Sequence, residues 1–212
     1  VYIFLRMISG ESLGMKKLVL LTPTNQVQEL QTILLDRTTE HARFVFYADR
    51  LMRLVVEEAL NQLPVTQVTV TTPTHCKYKG LKFARGNTGV SLCRSGEAME
   101  IALRQCARSI RICKMLIGDE QKVLYARFTG DMSTRRVLLL YPILSTGQTV
   151  LKAISALMEN NVKEENIFLV TLFAAPSSVI RISHRYPLVT IVASKTSKAV
   201  PLNFAMKYFG TE

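Results

Sequence analysis

The sequence predicts an α/β fold, a mainly parallel sheet flanked by helices with a small β hood beside it. Three observations predict it. From Gly89 onward, apolar runs of strand length alternate with amphipathic helical stretches, the pattern of successive βα units. The runs are apolar at consecutive positions, as strands buried on both faces require. Ahead of them, the alternating β-branched segment Gln67 to Thr72 is followed by Pro73, Gly80 and a second short strand, Leu81 to Phe83, which together read as a hairpin.

Each element has its own signal. Phe44 to Leu63 places Phe44, Tyr47, Leu51, Leu54, Val55 and Leu60 at helical spacing, with Asp49, Arg50, Arg53 and Glu57 mostly on the other side, and Pro64 ends it. The strand-length runs are Gly89 to Cys93, Ile112 to Ile117, Val137 to Leu140, Ile167 to Leu172 and Leu188 to Ala193. Helical patterns follow the first, third and fourth, at Gly96 to Ala107, Thr149 to Asn160 and Ser177 to Tyr186. No repeat or low-complexity linker divides the chain, so residues 15–212 are expected to form one domain. Residues 1–14, an apolar run broken by Arg6 and too short to span a bilayer, are expected to be a poorly ordered extension.

Composition narrows the partners. The 212 residues carry a formal charge of +11, with 48% hydrophobic and 20% charged residues, ordinary for a globular domain. A basic chain favours anionic ligands, but the Lys and Arg residues are scattered and lack the aromatic interleaving of RNA-binding sheets, so no nucleic-acid or membrane partner is expected. Cys76, Cys93, Cys106 and Cys113 have no Cys-x-x-Cys spacing, and the three histidines are far apart, so no protein metal site is expected. The thiols read as reduced, which points to the cytoplasm, with the nucleus as a second compartment.

The most informative segment is Val137 to Thr149. A buried strand passes through Tyr141-Pro142-Ile143-Leu144 into Ser145-Thr146-Gly147 and directly into a helix starting near Thr149. Unpaired amide groups gather at such a helix start, where about half a positive charge resides. Local physics leaves two alternatives: a phosphate cradle, or a helix start capped by Ser or Thr.

This segment resembles the phosphoribosyl pyrophosphate (PRPP) loop of type I phosphoribosyltransferases. Three further stretches resemble the uracil phosphoribosyltransferase family in particular: Phe46-Tyr47-Ala48-Asp49-Arg50-Leu51, Gly89 to Glu97 with its Arg94-Ser95-Gly96, and Tyr208-Phe209-Gly210-Thr211. The resemblance covers residues from about Lys16 to the end. It implies transfer of a phosphoribosyl group from PRPP to uracil, giving UMP and pyrophosphate, with Mg²⁺ accompanying PRPP. It also implies PRPP contacts at Arg94, Pro142, Ser145, Thr146, Gly147 and Thr149, and a homodimer or homotetramer. Arg94 has the alternative of pairing with Glu97. Such chemistry needs no nucleophilic side chain or general base, because catalysis is positioning plus electrostatics on a departing pyrophosphate.

The sequence departs from the family pattern at three places. Tyr141 stands where the family has an Asp that holds the ribose hydroxyls, and a phenol cannot accept two hydroxyls as a carboxylate does. The loop Gly118-Asp119-Glu120 lacks the family's Arg. The uracil-reading segment is replaced by Leu202 to Lys207, in which Asn203 and Phe204 are the remaining candidates for base contact. These departures raise the alternative of a catalytically impaired homolog that binds phosphate or nucleotide in a regulatory role. A GTP effector site would, by resemblance, involve Arg50, Arg85, Gly86, Asn87 and Arg111. Ordinary solvated charges and a turn are the alternative there.

Overall fold

The computed structural model describes residues 17–118 and 122–211, so the expectation for residues 1–14 and most of the Gly118-Asp119-Glu120 loop lie outside the described residues. The chain opens with β1 (Leu18–Leu20), α1 (Asn25–Leu35) and the long α2 (His41–Asn61). Helix α1 starts where the Thr24 hydroxyl accepts the Val27 amide hydrogen, a conventional side-chain cap. β2 (Val65–Thr71) and β3 (Lys77–Phe83) pair antiparallel as a separate two-stranded hood. Both hood strands are exposed over nearly their whole length.

The main sheet follows: β4 (Asn87–Cys93), α3 (Glu97–Cys106), β5 (Arg111–Ile117), β6 (Val123–Arg127), β7 (Arg136–Leu140), the two-residue β8 (Ile143–Leu144), α4 (Gln148–Glu159), β9 (Ile167–Ala174), α5 (Pro176–Arg185), β10 (Thr190–Thr196) and α6 (Phe204–Phe209). The strand order is β1-β10-β9-β7-β4-β5-β6, with β8 extending the pairing on β9. Every pairing is parallel except β5 with β6.

Apart from the β5–β6 edge the sheet is buried on both faces, and strand alternation sorts side chains between two cores. In β7, Leu138 and Leu140 join α1, α2, α3 and α6 in one core, whereas Val137 and Leu139 join α4 and α5 in the other. This division follows from chain direction. From β4 the chain crosses through α3 to β5 on one side, and from β7 it crosses through α4 to β9 on the opposite side. Crossovers of one hand that run in opposite directions along a sheet put their helices on opposite faces. The strand order therefore reverses between neighbouring β4 and β7, and a crevice opens at their carboxyl ends.

The strands and helices expected from Gly89 onward form close to their predicted bounds, with one shift. β10 begins at Thr190, two residues later than the apolar run, because Leu188 is exposed and its amide is held by the Glu164 carboxylate. The hood's second strand starts at Lys77 rather than Leu81. The last segment, expected as a base-reading stretch, folds into helix α6.

Candidate active site

The loop from β7 to α4 lies at the carboxyl edge of the sheet, beside the loop that follows β4. Gly147 precedes α4 in the left-handed region, φ 81° and ψ −3°, which turns the chain sharply into the helix. Among the described residues, the amides of Ser145, Thr146, Gly147 and Thr149 have no hydrogen-bond partner. The Gln148 amide has only a long 3.5 Å contact with the Thr146 hydroxyl. No side chain caps the helix, so the capping alternative gives way to an uncapped start with donors available for an anion. Arg181 from α5 braces the turn from behind, donating to the Thr146 carbonyl at 3.2 Å.

Pro142 has a different job. Its ring is buried, and its carbonyl accepts from the amides of Leu172 and Phe173 and from the Thr171 hydroxyl at 3.0 Å. It anchors the loop to β9 and has no N–H to offer a phosphate. Tyr141 is half-buried against the α4–α5 core and donates its amide to the Val170 carbonyl at 3.1 Å. Residues 141–149 contain no carboxylate, and no group of three or more metal-ligating side chains occurs among the described residues. The chain thus offers Mg²⁺ no cage of its own at this loop.

The partner loop is set by Gly96. A Cβ there would lie 2.6 Å from the Leu140 carbonyl oxygen and 2.7 Å from both the nitrogen and oxygen of Leu92, so the chain after β4 packs directly on the end of β7. This contact brings Arg94 to the same edge as the 145–149 turn. Arg94 is exposed, its carbonyl accepts the Glu97 amide, and its guanidinium has no hydrogen bond or ion pair among the described residues. The predicted alternative of an Arg94–Glu97 pair is not realised. Glu97 instead accepts from Lys114 at 2.8 Å, and the Cys93 thiol also points to it at 3.6 Å. The Lys114 bond holds the Glu97 carboxyl below its usual range, with a smaller contribution from Arg94. Burial, followed by the Glu97 charge, pushes the Cys93 thiol up, which makes it a poor nucleophile.

At the C-terminus, Asn203 is exposed at the start of α6. The Phe204 ring is fully buried between Phe44 and Tyr208, with centroids 5.4 and 5.8 Å away. It is a core side chain, its amide is taken by the Pro201 carbonyl, and its carbonyl lies in the first turn of α6, where the helix's own hydrogen bonding takes it, so Phe204 offers no free group for the predicted base contact. Tyr208 ties α6 to α2 through a 2.7 Å bond from its hydroxyl to Asp49. Burial and this bond raise the phenol's pKa well above the usual tyrosine range. Lys207, nearly buried, donates to the Arg37 carbonyl at 3.1 Å and lies over the Phe44 ring. Sequence reasoning missed this latch, whose aromatic spacing at Phe204 and Tyr208 was its only signal.

Of the residues matched to a GTP site, Arg85, Gly86, Asn87 and Arg111 line one cavity of about 540 Å³. Lys82 and Arg135 join them, and Asp131 pairs with both Arg135 and Arg111. Asn87 Oδ1 and Arg135 Nε are buried without partners. Arg50 does not join this set. It stacks on Phe46 and Tyr47, about ten residues and hence about 15 Å along α2 from Leu60, the one α2 residue in the cavity wall.

The fold and the two converging loops define a phosphoribosyltransferase-like protein. The chain superposes on the structure of the AQ2163 protein from Aquifex aeolicus with a TM-score of 0.76, 16% identity, and coverage of 92% of this chain and 99% of that one. A phosphoribosyltransferase from Corynebacterium diphtheriae matches with a TM-score of 0.51 and 14% identity, over 84% of this chain and all of that one. These likenesses concern the fold. The family model described as uracil phosphoribosyltransferase matches residues 21–205. A uracil phosphoribosyltransferase homolog of Danio rerio is 52% identical over 92% of this chain and 78% of its own length. The uracil phosphoribosyltransferase of Dictyostelium discoideum is 41% identical over 93% of this chain and 98% of its own. The chain belongs to the uracil phosphoribosyltransferase family.

Proposed function

We propose that this protein binds PRPP at the β4–β7 switch point and transfers its phosphoribosyl group to uracil, releasing pyrophosphate. The observation that carries this reading is the set of unpartnered amides at Ser145, Thr146, Gly147 and Thr149, which lie at the same sheet edge as Arg94 with its unpaired side chain. The amides hold the 5′-phosphate, which fixes the ribose. The Arg94 guanidinium stabilises charge developing on the departing pyrophosphate, an electrostatic contribution at the atoms where charge grows. No side chain attacks the sugar, since the base nitrogen is the nucleophile. Mg²⁺ enters as part of the PRPP substrate. The base lies toward the segment before α6, near Asn203.

GTP is proposed as an effector in the cavity of Arg85, Gly86, Asn87 and Arg111, with Arg50 supplied by a second copy in a homodimer or homotetramer. We place the protein in the cytoplasm and the nucleus.

Tyr141 favours a second reading, a homolog that binds PRPP or nucleotide in a regulatory role with little turnover, because no carboxylate in the loop holds the ribose hydroxyls. One assay separates the two. Purified protein with labelled uracil, PRPP and Mg²⁺, with and without GTP, should yield UMP above a buffer blank. Absence of UMP together with thermal stabilisation by PRPP establishes the second reading. Absence of both overturns the first and second together. The Tyr141→Asp variant should raise turnover if the missing carboxylate is what limits it.

A further inference from the structure

The structure assigns Lys114 a positioning role in the PRPP site: it sequesters Glu97, so that the Arg94 guanidinium stays unpaired and available to the pyrophosphate. This inference rests on the proposed PRPP site and adds a residue to it that sequence spacing does not reveal. Glu97 lies three residues after Arg94, at the first turn of α3, where a carboxylate is favoured by the helix dipole. Left alone, it would be the nearest anion to Arg94, and a guanidinium pairs with carboxylates as readily as with phosphates. An Arg held by its own protein's carboxylate must give that partner up before it can bind a ligand.

Lys114 prevents this through strand register. β5 lies beside β4 with Lys114 opposite Ser91, on the face that α3 covers. From there its ammonium reaches Glu97 at 2.8 Å and Glu100 at 3.4 Å. Glu100 is mostly buried, and its Oε1 has no hydrogen bond, so the second contact fixes the lysine over α3 rather than letting it swing to solvent. The Cys93 thiol contributes a further contact to Glu97 from the residue immediately before Arg94. The two cations and two carboxylates of this cluster balance in charge. The arrangement nevertheless places both carboxylates on the lysine and leaves the arginine without a partner. The Arg94 charge also lowers the Glu97 carboxyl, a smaller effect than that of the Lys114 bond.

A double-mutant cycle on Lys114 and Glu97 tests the inference, with Mg²⁺–PRPP affinity read by calorimetry on the full chain. Lys114→Met should weaken binding about tenfold, because a freed Glu97 then occupies Arg94. In the Glu97→Gln background the same substitution should cost less than twofold, since no carboxylate remains to compete. Lys114→Arg, which keeps both contacts, should bind like the wild type. If Lys114 merely adds positive charge to the site, the loss will be equal in both backgrounds, and the inference falls while the PRPP site stands. Should the wild type bind neither PRPP nor pyrophosphate, the site itself and the inference fall together. Lys114→Met leaves Glu100 uncompensated, so Lys114→Met/Glu100→Gln keeps the comparison valid if the single variant does not fold. The expected loss is the same, and an unchanged affinity there overturns the role.

Discussion

Replacing Gly96 by alanine adds a single methyl group at the seam that joins the two halves of the site. The position is closed by backbone atoms: the Leu140 oxygen at 2.6 Å and the Leu92 nitrogen and oxygen at 2.7 Å from the ideal Cβ. Ordinary carbon contacts lie at about 3.5–4.0 Å, so relief requires a backbone shift of close to an ångström. No rotamer change helps, because none of the three obstructing atoms belongs to a side chain. The Gly96 amide also bonds the Leu92 carbonyl at 2.8 Å, and its own carbonyl accepts from Met99, so moving it loosens the start of α3 as well.

Overpacking of this kind costs about 3 kcal/mol. For a domain of this size, each kcal/mol lowers the melting temperature by about 2–4 °C, so Gly96→Ala should melt about 6–12 °C below wild type. Gly130 provides the control: nothing lies within 4 Å of its ideal Cβ, and Gly130→Ala should change stability by no more than about 0.5 kcal/mol. Thermal unfolding by calorimetry, with PRPP titration of the folded protein, reads both effects. The seam argument predicts weaker PRPP binding by Gly96→Ala, since Arg94 moves with the loop. Equal melting temperatures for Gly96→Ala and Gly130→Ala would refute it.

Tyr208→Phe removes the 2.7 Å bond to half-buried Asp49 and should cost about 1.5 kcal/mol, measurable as a lower denaturant midpoint at unchanged slope. In the folded protein at pH 8, a disulfide reagent should modify exposed Cys76 quickly and the other three thiols slowly, because burial raises Cys93, Cys106 and Cys113, with Cys106 pushed up to about 12 by burial and then by Glu57. Two or more fast thiols would contradict this packing. The Lys114 bond depresses the Glu97 carboxyl on folding, so its contribution is complete above the unfolded value of about 4.3 and is lost as pH falls through the lower folded value. Melting scans from pH 6 to 3 should therefore show a steeper acid decline for wild type than for Glu97→Gln, and parallel curves would show that the pair adds nothing.

The fold was legible wherever burial on both faces wrote a continuous apolar run. β7 and β9 have such runs, β4 and β5 are interrupted by Ser91 and Lys114, and the helices that follow β4, β7 and β9 carry a one-sided apolar stripe. Elements at the margin were not legible. β1 has three residues and β8 two, too few for any period to register. β6 is exposed at Leu124 and Tyr125 and becomes a strand only because β5 supplies an edge to pair with. α6 has six residues whose buried aromatic members, Phe204 and Tyr208, mark it as helix only once Phe44 is known to lie opposite. The turn from β7 into α4 was legible because strand, turn and helix start are contiguous in sequence. Its relation to Arg94 came only from the family resemblance, and that to Lys114 was not legible at all, since both depend on β4 lying between β7 and β5.

That dependence separates two kinds of site residue. Gly96 and Gly147 are held by packing: one is enclosed by backbone, and the other turns the chain at positive φ with Ser178 Cβ 3.3 Å from its own ideal Cβ. Substituting either one damages the fold whether or not a ligand ever binds. Tyr141 is less constrained, because its bond to Val170 is made by the main-chain amide and its ring packs only partly on the α4–α5 core. A change from carboxylate to phenol there leaves the scaffold intact and alters only what the loop can hold. In the proposed site the turn's unpartnered amides would hold the phosphate, and the side chain at 141 would bear on the ribose attached to it. Measuring inorganic phosphate, PRPP and UMP binding on wild type and Tyr141→Asp separates these contributions: the variant should leave phosphate affinity within twofold and tighten only the two ribose-bearing ligands. A uniform change in all three would mean that residue 141 acts through the shape of the loop, and that the distinction between scaffold and ligand contact does not hold at this position.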